Sequence, residues 1–195
     1  MEQEEYRGYT IEYEIDQDPS NPRKEFDHLA TMLCWHDNYV LGDVNYNRHN
    51  ENFEAEVKGI LRDVERSGGV YTALYLYEHS GMTMAAGINA LRYPFTDPWD
   101  AGQVGFIYVM GDDIRKEYKV QRISNKRKQE VYKLLIGEVE EYDTYLRGDI
   151  WGYQITSPEG DQDCDSLWGI FGYDAAVEYA HYAIDLILEA QEEVA

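Results

Sequence analysis

The chain is short of cysteine, of cations and of long apolar runs, and each shortage removes a class of protein. Its two cysteines, Cys34 and Cys164, form no CxxC pair and have no close partner in sequence, so neither a disulfide scaffold nor a zinc knuckle is expected. No stretch approaches the roughly 18 apolar residues that cross a bilayer. The opening MEQEEYRGY lacks the basic start and apolar middle of a signal peptide, which predicts a cytoplasmic protein. There is no GxxxxGK[ST], GxSxG, HExxH or Rossmann glycine pattern, so no cofactor is expected.

Carboxylates are what the chain has in excess. Against 17 Lys and Arg stand 38 Asp and Glu, a net charge of −21. A hydrophobic content of 44% and an aromatic content of 14% nevertheless predict a folded chain, since disordered chains are poor in aromatics. Such charge repels nucleic acid and anionic membrane and favours a basic partner. The charge is uneven: residues 1–18 carry −6, residues 19–137 carry −1 and residues 138–195 carry −14. Adaptation to high salt would acidify the whole surface, whereas the middle keeps Lys116, Lys119, Lys126, Lys128 and Lys133 close together.

Periodicity sets the fold class. YTIEYEID alternates with period two, one face apolar and the other carboxylate, and reads as a half-buried strand. LATMLCWH, VYTALYLYEH, DIWGYQIT and SLWGIFG read as further strands, QVGFIYVMG as a central one, and a short strand is expected after Ser80. Helical spacing marks Glu51 to Glu65, closed by Gly68 and Gly69, then Asp112 to Tyr118, Ser124 to about Leu146, and Tyr173 onward. Strands in adjacent groups predict one α+β domain over residues 1–195 with an acidic C-terminal part, 138–195. The expected architecture is a largely antiparallel sheet of six to seven strands with three to four helices mainly on one face.

The stretch EVEEYDTYLRGD gathers acids at a helix C-terminus, where the backbone is already negative and each exposed acid costs about 0.3–1 kcal/mol. The same helix opens with Lys126, Arg127 and Lys128, backwards for the dipole. On the last helix Asp174, Glu178, Asp185, Glu189 and Glu192 fall in one stripe. Candidate partner-binding residues are therefore Glu138, Glu140, Glu141, Asp143, Asp149, Asp161, Asp163, Asp165, Asp174, Glu178, Asp185 and Glu189. DQDCDSLWGIFG opens like a calcium loop, but Ser166 replaces the turn glycine and Gly172 the bidentate glutamate, so no metal is expected there.

Reactive groups are sparse. Cys34 and His36 share a strand face without an orienting third group. The alternative enzymatic constellation is His36, His79, Asp97 and Asp100, a set from which a small metal-dependent hydrolase or nuclease could be built. Trp35, Trp99, Trp151 and Trp168, with 18 tyrosines, supply core and interface material.

The segments DPWDAGQVGFIYV, EEYDTYLRGDIWGY and DSLWGIFG resemble stretches of small acidic proteins encoded by phages and other mobile elements, over residues 27–172. The resemblance transfers no catalytic residue; it implies a setting, the cytoplasm of a host cell. By charge and context the chain is similar to DNA-mimic inhibitors of restriction or CRISPR systems. That similarity implies a partner, a basic nucleic-acid-binding protein of the host, with no direct contact to nucleic acid or membrane and with a homodimer allowed.

Overall fold

The computed structural model describes residues 2–79, 81–87, 100–160 and 164–194. The chain is α+β and divides into two compact units. Residues 1–20 and 147–195 form the first, and Asn21–Leu146 the second.

The first unit is a four-stranded antiparallel sheet with one helix. Strands β1 (Glu2–Tyr6) and β2 (Tyr9–Ile15) form a hairpin whose two turn residues, Arg7 and Gly8, both have positive φ, as a tight two-residue turn requires. Strand β2 pairs across the sequence with β8 (Ile150–Thr156), and β8 with β9 (Asp165–Phe171), giving the order β1-β2-β8-β9. Tyr9, Ile11 and Tyr13 of β2 and Tyr153 and Ile155 of β8 point to one face, where α5 (Tyr173–Val194) covers them with Ala176, Ala180 and Ile184. The opposite face carries Glu12 and Gln154 in one cross-strand row with Gln3 and Ser166. Gly152 is buried because the Trp168 indole lies against it, where any β-carbon would sit inside the ring's van der Waals surface.

The second unit is a five-stranded sheet of order β4-β3-β7-β5-β6, in which β5 (Val70–Glu78), β6 (Met82–Ala86) and β7 (Ala101–Val109) are antiparallel neighbours. Strand β3 (Thr31–Cys34) joins β7 antiparallel and β4 (Val44–Asn45) parallel. Helix α4 (Asn125–Leu146) packs Val131, Leu135, Val139 and Tyr142 on Met32, Leu74, Met84 and Ile107. Ser124 caps it, its hydroxyl accepting the Arg127 N–H at 3.2 Å. Helices α1 (Pro22–Glu25), α2 (Phe53–Ser67) and α3 (Gly111–Tyr118) complete the unit, and α2 closes on left-handed Gly68.

The class matches the expectation, and β7 is central to its sheet. The layout differs from it: among the described residues nine strands lie in two sheets rather than six or seven in one, and the helices number five. Alternation marks a strand but not its partner, so it cannot reveal that one acidic β-hairpin at the N-terminus and the remote pair β8 and β9 form their own sheet. The short α1 sits in the turn-rich DPSNPRKEFD, where Pro22 at the first helical position and an Asn21 cap start it. Among the described residues no helix is long and apolar enough to cross a membrane.

Candidate partner-binding surface

The first unit concentrates the charge. Its residues hold 18 carboxylates against Arg7 and Arg147 alone, a net −16, while the second unit holds 20 against 15 cations, a net −5. Both arginines already face carboxylates, Arg7 Nε lying 3.2 Å from Asp185 and Arg147 Nη2 3.8 Å from Asp149.

Phenol groups fix several of these carboxylates. Tyr13 donates to Glu4 at 3.1 Å, Tyr153 to Asp165 at 3.2 Å and Tyr6 to Asp185 at 3.3 Å. The Tyr6 ring stacks on His181 at 3.9 Å, and His181 Nε2 lies 3.0 Å from Glu4. Burial and the adjacent Asp165 push the Tyr153 hydroxyl up to about 12, and burial and Glu4 raise Tyr13 further. A phenol that stays protonated orients a carboxylate without cancelling its charge. Sequence reasoning misses Glu4: the acidity of residues 1–18 is visible, but not the strand pairing that carries it to α5.

On α5 the side chains separate by angle. Asp174, Glu178, Glu189 and Glu192 are exposed along one stripe with Asp185, which is half-buried and tied to Arg7 and Tyr6. Beside them Tyr179, Tyr182 and Leu186 stand exposed at 50%, 62% and 46%, and Ala176, Ala180 and Ile184 face the sheet. Asp165 lies in β9 and Asp149 before β8, where it also accepts the Trp151 indole N–H at 2.8 Å. Asp161 and Asp163, and with them the start of the calcium-like loop, lie outside the described residues.

Of the α4 acids expected to meet a partner, Glu138 is turned inward. Glu138 is buried and accepts Arg23 Nη1 at 2.7 Å and the Ala30 N–H at 3.3 Å. Arg23, itself buried, also grips Asp43 through Nε at 2.9 Å and through Nη2, and gives Nη2 to the Ala30 carbonyl at 2.8 Å. Asp143 accepts the Met84 N–H at 2.7 Å, and Glu141 lies 3.6 Å from His28. Glu140 is the exposed member. The acids that run against the helix dipole therefore have local partners: a guanidinium, a strand amide and an imidazole.

The histidine set is partly assembled. His79 Nδ1 lies 2.9 Å from Asp100 at the mouth of β5 and β7, and both side chains are exposed. His36 stacks on Tyr39 at 4.9 Å, lies 3.6 Å from Glu78, and shares a cavity of about 330 Å³ with Glu78, Asp100 and Arg48. Asp97 lies outside the described residues. No hydroxyl or thiol is hydrogen-bonded to the His79 ring among the described residues. Cys34 is fully buried, and that burial pushes its thiol up to about 12, which leaves it a core residue. Among the described residues no three His, Cys, Asp or Glu are placed to hold a metal.

No family model, curated protein or solved structure matches this chain. Its surface offers four exposed carboxylates in a row with the tethered Asp185, beside Tyr179 and Tyr182, on a single continuous helix.

Proposed function

We propose that this protein is a DNA-mimic-type inhibitor that occupies the basic nucleic-acid-binding groove of a host defence protein of the restriction or CRISPR kind, and that α5 carries the contact. The supporting observation is the exposed carboxylate stripe from Asp174 to Glu192 in a unit of net charge −16. At about 1.5 Å rise per residue the five carboxylates span about 27 Å, a mean spacing of roughly 7 Å. A DNA strand carries one per about 3.4 Å, so a groove built for phosphates meets charge of the same order. Because α5 is already folded and, among the described residues, only Asp185 of the stripe is ion-paired, with Arg7, no folding step opposes the contact. Tyr179 and Tyr182 add contact area of the type that anchors interfaces.

The test is capture of partners from host lysate on the immobilised protein, eluted by a salt gradient and, separately, by duplex DNA. The proposal expects the same partner in both eluates and an affinity that falls steeply between about 50 and 200 mM salt. A partner that resists salt and ignores DNA competitor would overturn it.

A further inference from the structure

The second unit contains a cavity of about 530 Å³ where the N-terminal turns of α4 pass over the start of β5. Gly69, Val70 and Tyr71 line it from the strand side, and Lys128, Gln129, Tyr132 and Lys133 from the helix. Its wall is mainly apolar, and no carboxylate is in the lining among the described residues. The volume is that of a small-molecule pocket.

Its polar groups divide sharply into used and unused. The Tyr132 hydroxyl donates to the Gly87 carbonyl at 2.7 Å, and the Tyr71 hydroxyl to Glu65 at 2.9 Å. Neighbouring Arg127 is paired with Glu130 and lies over the Tyr118 ring at 4.0 Å. The ammonium groups of Lys128 and Lys133 make no ion pair or hydrogen bond among the described residues. Lys128 lies in the first turn of a 22-residue helix with Lys126, where cations are disfavoured and a bound anion would offset the cost, and Lys133 lies further along the helix on the cavity wall. The overall negative charge of the protein is screened beyond about 8 Å at physiological salt, so it does not forbid a local anion site.

A hydrated anion alone would leave the apolar wall unused, and an uncharged ring would leave the lysines unused. We propose that this cavity binds a small planar aromatic compound bearing an anionic group such as a carboxylate. The ring lies against the Val70 and tyrosine wall, and the anion sits between Lys128 and Lys133. No residue of this site belongs to α5, and the proposal does not rest on the inhibitor reading.

The test is titration of the full chain with 1-naphthoate, followed by amide resonances. Saturable one-site shifts confined to Gly69–Tyr71 and Lys128–Lys133 are expected. In K128Q/K133Q, whose replaced groups hold no partner among the described residues, the affinity for 1-naphthoate should fall about tenfold or more while the thermal midpoint stays. The uncharged 1-naphthalenemethanol should bind both proteins alike and more weakly than the acid binds the parent. Gln129→Trp, at an exposed helix position, should fill the cavity and abolish binding in a folded protein. No saturable shift at about 1 mM, or equal naphthoate affinity in K128Q/K133Q, overturns the site; decanoate binding as tightly as naphthoate overturns its aromatic preference.

Discussion

In the unit built on Asn21–Leu146 the carboxylates of Asp43 and Glu138 close around the Arg23 guanidinium, which is buried and also bonded to the Ala30 carbonyl. In the unit built on residues 1–20 and 147–195 the carboxylates of Glu4 and Asp165 accept phenol protons instead. Both arrangements fix an acid in place, but only the first cancels its charge. A buried ion pair has to repay the desolvation of both groups, so its presence adds little net stability while loss of one partner costs much. A phenol-to-carboxylate bond leaves the charge facing water and available to a partner. Counting acids along the chain therefore misjudges the second unit and suits the first.

The largest effect expected is on the buried network. Arg23→Ala strips Asp43 and the buried Glu138 of their shared guanidinium and should destabilise by about 3–5 kcal/mol in urea unfolding. Arg7→Ala removes a pair whose arginine is 55% exposed and should change stability by less than about 1 kcal/mol. Equal losses from the two substitutions would erase the contrast between the units.

A smaller effect separates two strand glycines. Gly152→Ala in the first unit drives a methyl into the Trp168 ring and should cost about 1–3 kcal/mol, read with the loss of native tryptophan fluorescence. Gly102 in the second unit has nothing within 4 Å of an added β-carbon, and Gly102→Ala should be neutral or slightly stabilising.

How much of the fold and of the site is legible in the sequence varies element by element. Strand β2, central β7 and helices α2, α4 and α5 follow from periods of two and 3.6, because each has one buried face that the alternation records. The two sheets are not legible, since the pairing of Tyr13 with Tyr153 spans most of the chain and no local pattern encodes it. The α5 stripe can be read because its residues lie on one helix. The role of Glu138 cannot: its partner Arg23 sits 115 residues earlier in a turn-rich segment that reads as loop. Residue type alone groups His79 with Asp100, and the adjacent ends of β5 and β7 do bring them together.

The phenols raised most lie in the first unit and make an alkaline prediction, although Tyr71, Tyr108 and Tyr142 of the second unit are raised as well. Tyr153, through burial and Asp165, and Tyr173, through its bond to Glu2 and then burial, are both pushed up from 10 to about 12. Burial raises Tyr13 as well, with Glu4 adding to it. Because the folded state holds these protons more tightly than the unfolded chain, their contribution is complete below pH 10 and is lost as pH rises from 10 to about 12. Thermal midpoints should fall across that window while tyrosinate absorbance rises in step. In Tyr13→Phe/Tyr153→Phe the fall should be shallower. An unchanged alkaline limb in that double variant would show that the decline arises elsewhere, as from buried Cys34 in the second unit, whose thiol is raised from 9 to about 12 by burial.

The smallest expected effect on stability carries the most about function. Carboxylates of the first unit lie on two faces: Asp174, Glu178 and Glu189 in the stripe of α5, and Glu5, Glu12 and Glu14 on the sheet face turned away from that helix. Replacing either trio by the matching amides removes three charges and should alter stability by no more than about 0.5 kcal/mol per site. If a straight row of charge is what a basic groove reads, D174N/E178Q/E189Q should weaken capture of the salt-eluted partner by about tenfold or more, and E5Q/E12Q/E14Q much less. Equal weakening by both trios would mean that the partner responds to total charge. The alignment of α5 would then be a consequence of helix geometry and not a recognition element.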